Sequence, residues 1–316
     1  MRIDRPDDAD VPPENPADRT PAPANDAHRS AVSHAETRYR EEYYSARTQV
    51  AQEKRATTRA RQEAPTPDSW TETANLAHWM WGEYHRRWPP EERPPVDRST
   101  DPPGSWRSDS NRYLDSAVNE DMEEECDHIV ERERERVSPA LREAESRDPD
   151  RHLVGFRYRL KERDRIKEKV AEAIEQYGRS PKEAISHLPD AIRYTFQYQE
   201  AHYTQGVRDD IEHLRELGFE MVGLRNSWLN EQYKGINSHW IEPHSGQRFE
   251  LQFHTRISFE AKQLTHGSYE RLRSGQADEF EELVLEAFQK RVSGAVPVPA
   301  GAADIPDYPE RKRHAR

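Results

Sequence analysis

The segment Arg248-Phe249-Glu250-Leu251-Gln252-Phe253-His254-Thr255 alternates strictly in polarity. In a strand, that alternation puts Phe249, Leu251 and Phe253 on one face and Glu250, Gln252 and His254 on the other. The first face belongs in a core. The second presents a carboxylate, an amide and an imidazole in a row. A strand locked by its apolar side is a rigid mount for a carboxylate that must bind a metal ion or accept a proton. The same pattern also describes an edge strand whose polar face is wet.

Three other segments carry residue types that bind ligands. In the run from Arg159 to Lys169, the residues Lys161, Arg165 and Lys169 share one face if the run is helical, beside a stripe of Ile166, Val170, Ala173 and Ile174. Three cations in line can clamp a chain of phosphates. With Glu162 and Glu168 nearby, they also read as an ordinary salt-bridged surface. Asp190 enters a strand that carries Arg193. An Asp there can join a magnesium ion, which takes one or two carboxylates plus substrate phosphates, and Arg193 can stack on a base. The pair also reads as a plain strand-end Asp–Arg contact. In Tyr233-Lys234-Gly235-Ile236-Asn237-Ser238-His239-Trp240, a glycine followed by small polar groups lets backbone approach a ligand, or simply enters a strand. Beyond the first segment, Ala261, Lys262, Thr265, His266 and Tyr269 fall at helical spacing. Thr265-His266 is either part of a site or a packed polar pair.

Periodicity and punctuation predict the elements that hold these groups. Residues 116–145 read as one long charged helix with Met122, Cys126, Ile129 and Val130 on one side. A helix over 161–177 stops at Gly178, and a short one covers 181–187. Ile192, Tyr194 and Phe196 alternate, so Ala191 to Tyr198 is a strand. A helix over 204–217, closed by Gly218, leads into the strand Phe219 to Leu224. Asn237 to Ile241 and Gln247 to Phe253 are strands joined by Pro243-His244-Ser245-Gly246, which is turn chemistry. Helices over 258–273 and 277–292 follow. This order predicts an α+β, α/β-like domain over 105–293, a mixed sheet flanked by helices.

The flanks are polar. Residues 1–104 read as a Pro-rich arm: disordered over 1–27, then a charged helix over 28–63 with a thin apolar stripe. Over 70–88, Leu76, Trp79, Met80 and Tyr84 have helical spacing. This Trp-rich helix is either a partner-binding patch or a flap packed on the main domain. Residues 89–104 read as a Pro-rich linker. Residues 294–316 read as a disordered tail ending in Arg311-Lys312-Arg313-His314-Ala315-Arg316.

Composition narrows the function classes. Of the 316 residues, 33% are hydrophobic and 34% charged, too polar for the whole chain to pack as one core. A formal net charge of −12 argues against a general nucleic-acid coat protein but leaves room for a local basic pocket. Cys126 is the single cysteine, so no intramolecular disulfide or cysteine-based metal cluster forms. No secretory signal and no run of roughly 20 apolar residues is visible, which predicts a cytoplasmic protein without a membrane span.

Taken in order, the ligand-binding segments resemble the synthetase domain of the RelA/SpoT family of alarmone synthetases, over roughly residues 113–292. The family pattern is R-x-K-x-x-x-[S/R]-x-x-x-K, then D-x-x-x-x-R, G-Y-x-S-x-H, E-x-Q-x-R-T and a helical E-H pair. The chain has Arg159-x-Lys161-x-x-x-Arg165-x-x-x-Lys169, Asp190 and Arg193, Gly235-Ile236-Asn237-Ser238-His239-Trp240, Glu250-x-Gln252-x-His254-Thr255 and Thr265-His266. The last two strand segments are closest to an actinobacterial branch related to nucleotide 3′-pyrophosphokinases. The departures are Ile236 for the family's stacking Tyr, Trp240 for its His, His254 for its Arg, and an Asp only three residues before Arg193. The chain lacks the H-x-x-x-H-D hydrolase motif, so the resemblance is to a synthetase-only protein.

The resemblance implies a nucleotidyltransferase-like fold and roles residue by residue. ATP is the donor: Arg159 and Arg193 hold its adenine, and Lys161, Arg165 and Lys169 its phosphates. Asp190 and Glu250 bind magnesium. Glu250 also takes the proton of the acceptor's 3′-hydroxyl, with Gln252 beside it. Tyr233, Lys234, Gly235, Asn237, Ser238, His254 and His266 face the acceptor nucleotide. The β,γ-diphosphate moves to that hydroxyl and AMP leaves. Two rivals follow from the departures: a toxin-type synthetase acting on adenine nucleotides or tRNA ends, with an antitoxin or delivery partner on the N-terminal arm, and a catalytically inactive nucleotide-binding scaffold.

Overall fold

A computed structural model describes residues 69–90 and 95–309. The expectations for residues 1–68 and for the basic cluster at 311–316 lie outside the described residues. The described chain begins with helix α1 (Ser69–Arg87), followed by the small ladder β1 (Trp106–Arg107) and β2 (Tyr113–Leu114). Helix α2 (Ser116–Arg132) runs through a π-helical turn, Glu133–Val137, into α3 (Ser138–Ser146). Strand β3 (Arg151–Leu153), helices α4 (Arg163–Tyr177) and α5 (Pro181–Ser186), strand β4 (Arg193–Tyr198) and helix α6 (Tyr203–Glu216) come next. Strands β5 (Glu220–Asn226), β6 (Ile236–Ile241) and β7 (Arg248–Thr255) and helices α7 (Arg256–Arg273) and α8 (Glu279–Gly294) complete the series.

The main sheet has five strands in the order β3-β4-β7-β6-β5. Only the β4–β7 pairing is parallel, so the sheet is mixed as the element order predicts. The opening motif is therefore a central strand, and every residue from Phe249 to Thr255 is buried. This corrects the edge-strand reading. Helices cover both faces of such a sheet, so alternation along β7 separates a core from a polar cavity, not from bulk water.

Register sorts the side chains. Arg193 and Thr195 of β4 lie opposite Glu250 and Gln252 of β7, which in turn face His239 and Asn237 of β6. Paired residues share a face, so these form one polar surface. The reverse face carries Tyr194, Phe196, Phe249, Leu251, Phe253 and Trp240, packed with α6 residues Tyr203, Val207 and Leu214 in the core.

The long charged helix departs from expectation at its middle. Met122, Cys126 and Ile129 are buried as predicted, but Val130 points outward and Glu133 takes the next inward place. Burial pushes the Cys126 thiol up to about 11, which leaves it inert. The π turn, an insertion in the hydrogen-bond ladder, lets Glu133 reach inward partners. Ser138 and the Tyr194 hydroxyl both donate to its carboxylate, and Arg159 pairs with it at 2.6 Å.

Two flanks pack on the domain: α1, as the flap reading of the Trp-rich helix expects, and residues 295–309, whose composition reads as loose. In α1, Trp70 donates to Glu260 at 2.7 Å, Tyr84 donates to Glu281 at 2.6 Å, and Trp81 stacks on Phe288 at 5.5 Å. Trp79, expected on the apolar stripe, is 61% exposed. Helix α1 therefore belongs to the same compact unit as the residues from 105 onward. At the other end, Val296, Ala302 and Ile305 are buried, and Tyr308 exchanges backbone hydrogen bonds with Leu224 of β5 at 2.7 and 3.0 Å. Residues 295–309 thus cover a sheet edge that would otherwise be unpaired.

Gly267 of α7 allows α1 to seat: a Cβ there would lie 2.6 Å from the Trp81 ring. Gly267→Val is expected to cost about 1–3 kcal/mol of unfolding free energy by overpacking. In a chain starting at residue 95 the same substitution should cost far less, and that chain should melt lower than the full-length protein. Equal losses in both backgrounds, measured by urea titration, would show that α1 does not seat there.

Candidate functional site

A cavity of about 1460 Å³ opens on the polar face of the sheet. Its floor is Arg193, Asn237, Glu250 and Gln252. One wall is α4 with the segment before it, and the other is α7. The rim comes from the loops at 109–112 and 230–233.

Lys161 reaches this cavity by a different route from the one its spacing predicts. Helix α4 starts at Arg163, so Lys161 lies ahead of it. Residues 159–161 instead run antiparallel to 191–193: Arg193 donates its backbone N–H to Arg159 at 2.7 Å, and Lys161 donates to Ala191 at 3.0 Å. That bridge sets Lys161 beside Asp190, which sits on a 3-10 turn, Pro189–Ala191, just before β4. Lys161 and Lys169 both bind Asp190 Oδ2, at 3.0 and 2.7 Å. Burial pushes Asp190 upward, but the two lysines outweigh it and hold the carboxyl below the usual range. Arg165 is more exposed and pairs with Glu168 at 2.8 Å.

On the floor, the Gln252 amide donates to Glu250 Oε1 at 2.7 Å, and its own oxygen accepts from Lys262. Glu250 is only 7% exposed. Burial pushes Lys262 down to about 8; the charge of Arg193 acts in the same direction and Glu250 opposes it. The Arg193 guanidinium makes no hydrogen bond or ion pair with the described residues. His266 lines the α7 wall, with its imidazole pushed down by burial.

The remaining residues expected at the site are divided. Tyr233 and Asn237 line the cavity and bond each other at 2.8 Å. His254 does not: it is fully buried, with Nε2 on the Tyr233 hydroxyl and Nδ1 on Ser258, each at 2.9 Å. Burial, helped by Lys262, pushes it far down, so it is a neutral pin and not a phosphate ligand. Gly235, at φ +147°, is the residue that His254 requires, because a Cβ would lie 2.6 Å from the ring. The close approach expected at this glycine is made by a side chain of the protein itself. Ser238 faces the core, donating to Leu251 at 2.9 Å, and Lys234 donates to the Trp228 carbonyl at 2.9 Å. Ile236, where the resemblance expects a stacking ring, is buried in β6. Arg159 is turned from the cavity to Glu133 and lies 4.4 Å from the Phe156 ring centre.

Asp190 and Glu250 are the carboxylates that can hold a metal ion. Each has one oxygen with no hydrogen-bond partner among the described residues: both lysines fall on Oδ2 of Asp190, and Gln252 on Oε1 of Glu250. Among the described residues no three His, Cys, Asp or Glu side chains gather as a cage. This donor set fits magnesium delivered with phosphates, which needs only one or two carboxylates.

Four residues that shape the site have no role in the sequence reading: Glu133, Lys262, Tyr269 and Arg273. Glu133 continues the buried stripe of α2, and a carboxylate on such a stripe signals a buried partner. Lys262, Tyr269 and Arg273 share the cavity-facing side of α7 with His266. The helical spacing of Lys262 and Tyr269 was visible, but nothing in it says which wall they form.

Arg159→Met is expected to lower unfolding free energy by about 3–5 kcal/mol, because the Glu133 carboxylate is left buried and unpaired. Unchanged urea stability with lost nucleotide affinity would instead make Arg159 a ligand residue. Carbon-detected NMR of labelled lysines should show one ammonium titrating near 8 that disappears in Lys262→Met. Its charge is present below that pH and lost as the pH rises through it.

No protein-family model and no curated protein matches the chain. Among solved structures it is similar to a GTP pyrophosphokinase family protein from Streptococcus pneumoniae, at 17% identity and TM-score 0.41, over 55% of this chain and 88% of that one. It is also similar to the small alarmone synthetase 1 from Bacillus subtilis, at 18% identity and TM-score 0.31, over 56% and 87% of the two chains. A structure of that synthetase bound to its product pppGpp aligns at 19% identity and TM-score 0.28, over 40% and 67%. By name these are pyrophosphokinases and alarmone synthetases, the class that the order of motifs resembles. At these identities and scores, the chemistry of the cavity rests on its own residues.

Proposed function

We propose that the cavity binds ATP and a second nucleotide and transfers the β,γ-diphosphate of ATP to the acceptor's 3′-hydroxyl, releasing AMP. The observation that carries this reading is that Lys161, Arg165 and Lys169 line the same cavity as Asp190, Arg193 and Glu250. Its volume of about 1460 Å³ exceeds the roughly 300–1,000 Å³ usual for one drug-sized ligand, as two nucleotides require.

Transfer of this kind depends on positioning and charge neutralisation more than on covalent help. Lys161 and Lys169 stand where a triphosphate would draw them from Asp190. Glu250 lies on a rigid strand, and its free oxygen would accept the proton of the acceptor's 3′-hydroxyl as the hydroxyl oxygen bonds to the β-phosphorus. The bond from that phosphorus to the oxygen bridging to the α-phosphate breaks, and AMP leaves with the electron pair. Magnesium, held by Asp190 and Glu250, would neutralise phosphate charge.

Incubation with γ-labelled ATP, magnesium and a panel of nucleotides should yield a labelled 3′-diphosphate product. Glu250→Gln should abolish transfer while leaving ATP affinity within about tenfold, because the base is lost and the phosphate clamp is not. Full activity in that variant would refute the role of Glu250. ATP binding with no product from any acceptor would make the protein an inactive scaffold.

A further inference from the structure

Most cations around the cavity already have a carboxylate partner. Lys161 and Lys169 are tied to Asp190, Arg165 to Glu168, Arg112 to Glu175 and Arg273 to Glu270. Arg193 and Lys262 differ. Arg193 makes no hydrogen bond or ion pair with the described residues, and the hydrogen bond of Lys262 goes to the neutral Gln252 amide. Both line the cavity, Arg193 from β4 opposite Glu250 and Lys262 from α7 on the Gln252 oxygen. Glu250 offsets part of the Lys262 charge without forming an ion pair, but two cations partly withdrawn from water whose charges act on each other remain an unfavourable arrangement in the free protein. An anion set between them removes the cost.

We propose that Arg193 and Lys262 form a two-point seat for a phosphoryl group on the cavity floor, beside Glu250. Arg193 supplies a planar fork and Lys262 a point charge, a combination suited to the oxygens of one phosphate. Lys262 also positions: by occupying the Gln252 oxygen, it keeps the amide N–H side toward Glu250. This assigns Arg193 to a phosphate and not to the adenine that the family resemblance implies. It rests on the proposed transfer only for which phosphate is seated. The seat itself follows from two cavity cations without an ion pair among the described residues.

The test is calorimetric titration of the full-length protein with inorganic pyrophosphate, alongside thermal melts. Wild type should bind. Lys262→Met and Arg193→Met should each weaken binding about 10- to 100-fold, the worth of a charge-assisted hydrogen bond. Lys262→Arg should retain most of the affinity. Lys262→Met should melt at or above the wild-type temperature, since a partly buried ammonium without an ion-pair partner is removed. Wild-type affinity in Lys262→Met, or no pyrophosphate binding by wild type, would overturn the seat. So would a Lys262→Met chain that melts well below wild type, because the lysine would then be structural. Lysine-dependent pyrophosphate binding without transfer from ATP to any acceptor would sink the proposed reaction and leave the seat standing.

Discussion

Strand β7 has to be buried on both faces while carrying a carboxylate, and the rest of the molecule is arranged around that demand. Phe249, Leu251 and Phe253 are fully buried, each contributing roughly 1.5–3 kcal/mol of apolar burial. That is enough to offset the several kcal/mol that withdrawing one ion from water can cost. The same strand is paired on both sides, with β4 and with β6. A shift of one residue in either register would turn Glu250 into the core and Leu251 into the cavity. The position of the candidate base is therefore fixed by a backbone hydrogen-bonded to a strand on each side.

Buried polar pins extend that rigidity to the cavity walls. Glu133 gathers Ser138, Tyr194 and Arg159, tying the π turn to β4 and to the segment that delivers Lys161. His254 gathers Tyr233 and Ser258, tying the loop before β6 to the start of α7. Neither group lines the cavity through its charged or imidazole centre, yet both decide where cavity residues stand. Motif residues and their supports are thus partly exchanged relative to expectation: Arg159 and His254 brace the site, while Lys262 enters it.

The C-terminal flank shows how composition misleads. Residues 295–309 are rich in Pro and Ala and read as part of a disordered tail, whereas residues 69–87 carry three tryptophans and leave a packed flap as one reading. A few large side chains suffice to seat them, Trp70, Trp81 and Tyr84 at one end and Val296 and Ile305 at the other. Packing of this kind depends on receiving surfaces such as Gly267 and Phe288 that lie about two hundred residues away.

Local periodicity determined the order of strands and helices, the turn between β6 and β7, the glycine stops after α4 and α6, and the polar face of β7. These depend on neighbours in sequence, whose spacing the chain displays directly. Tertiary structure alone decided that β7 is central, that Lys161 meets Asp190 through a backbone bridge before α4, and that among the described residues Arg193 and Lys262 line the cavity without an ion pair while its other Lys and Arg side chains have one. Those outcomes depend on which distant groups meet in space. A side chain's charge is visible in the sequence, but whether another charge already balances it is not.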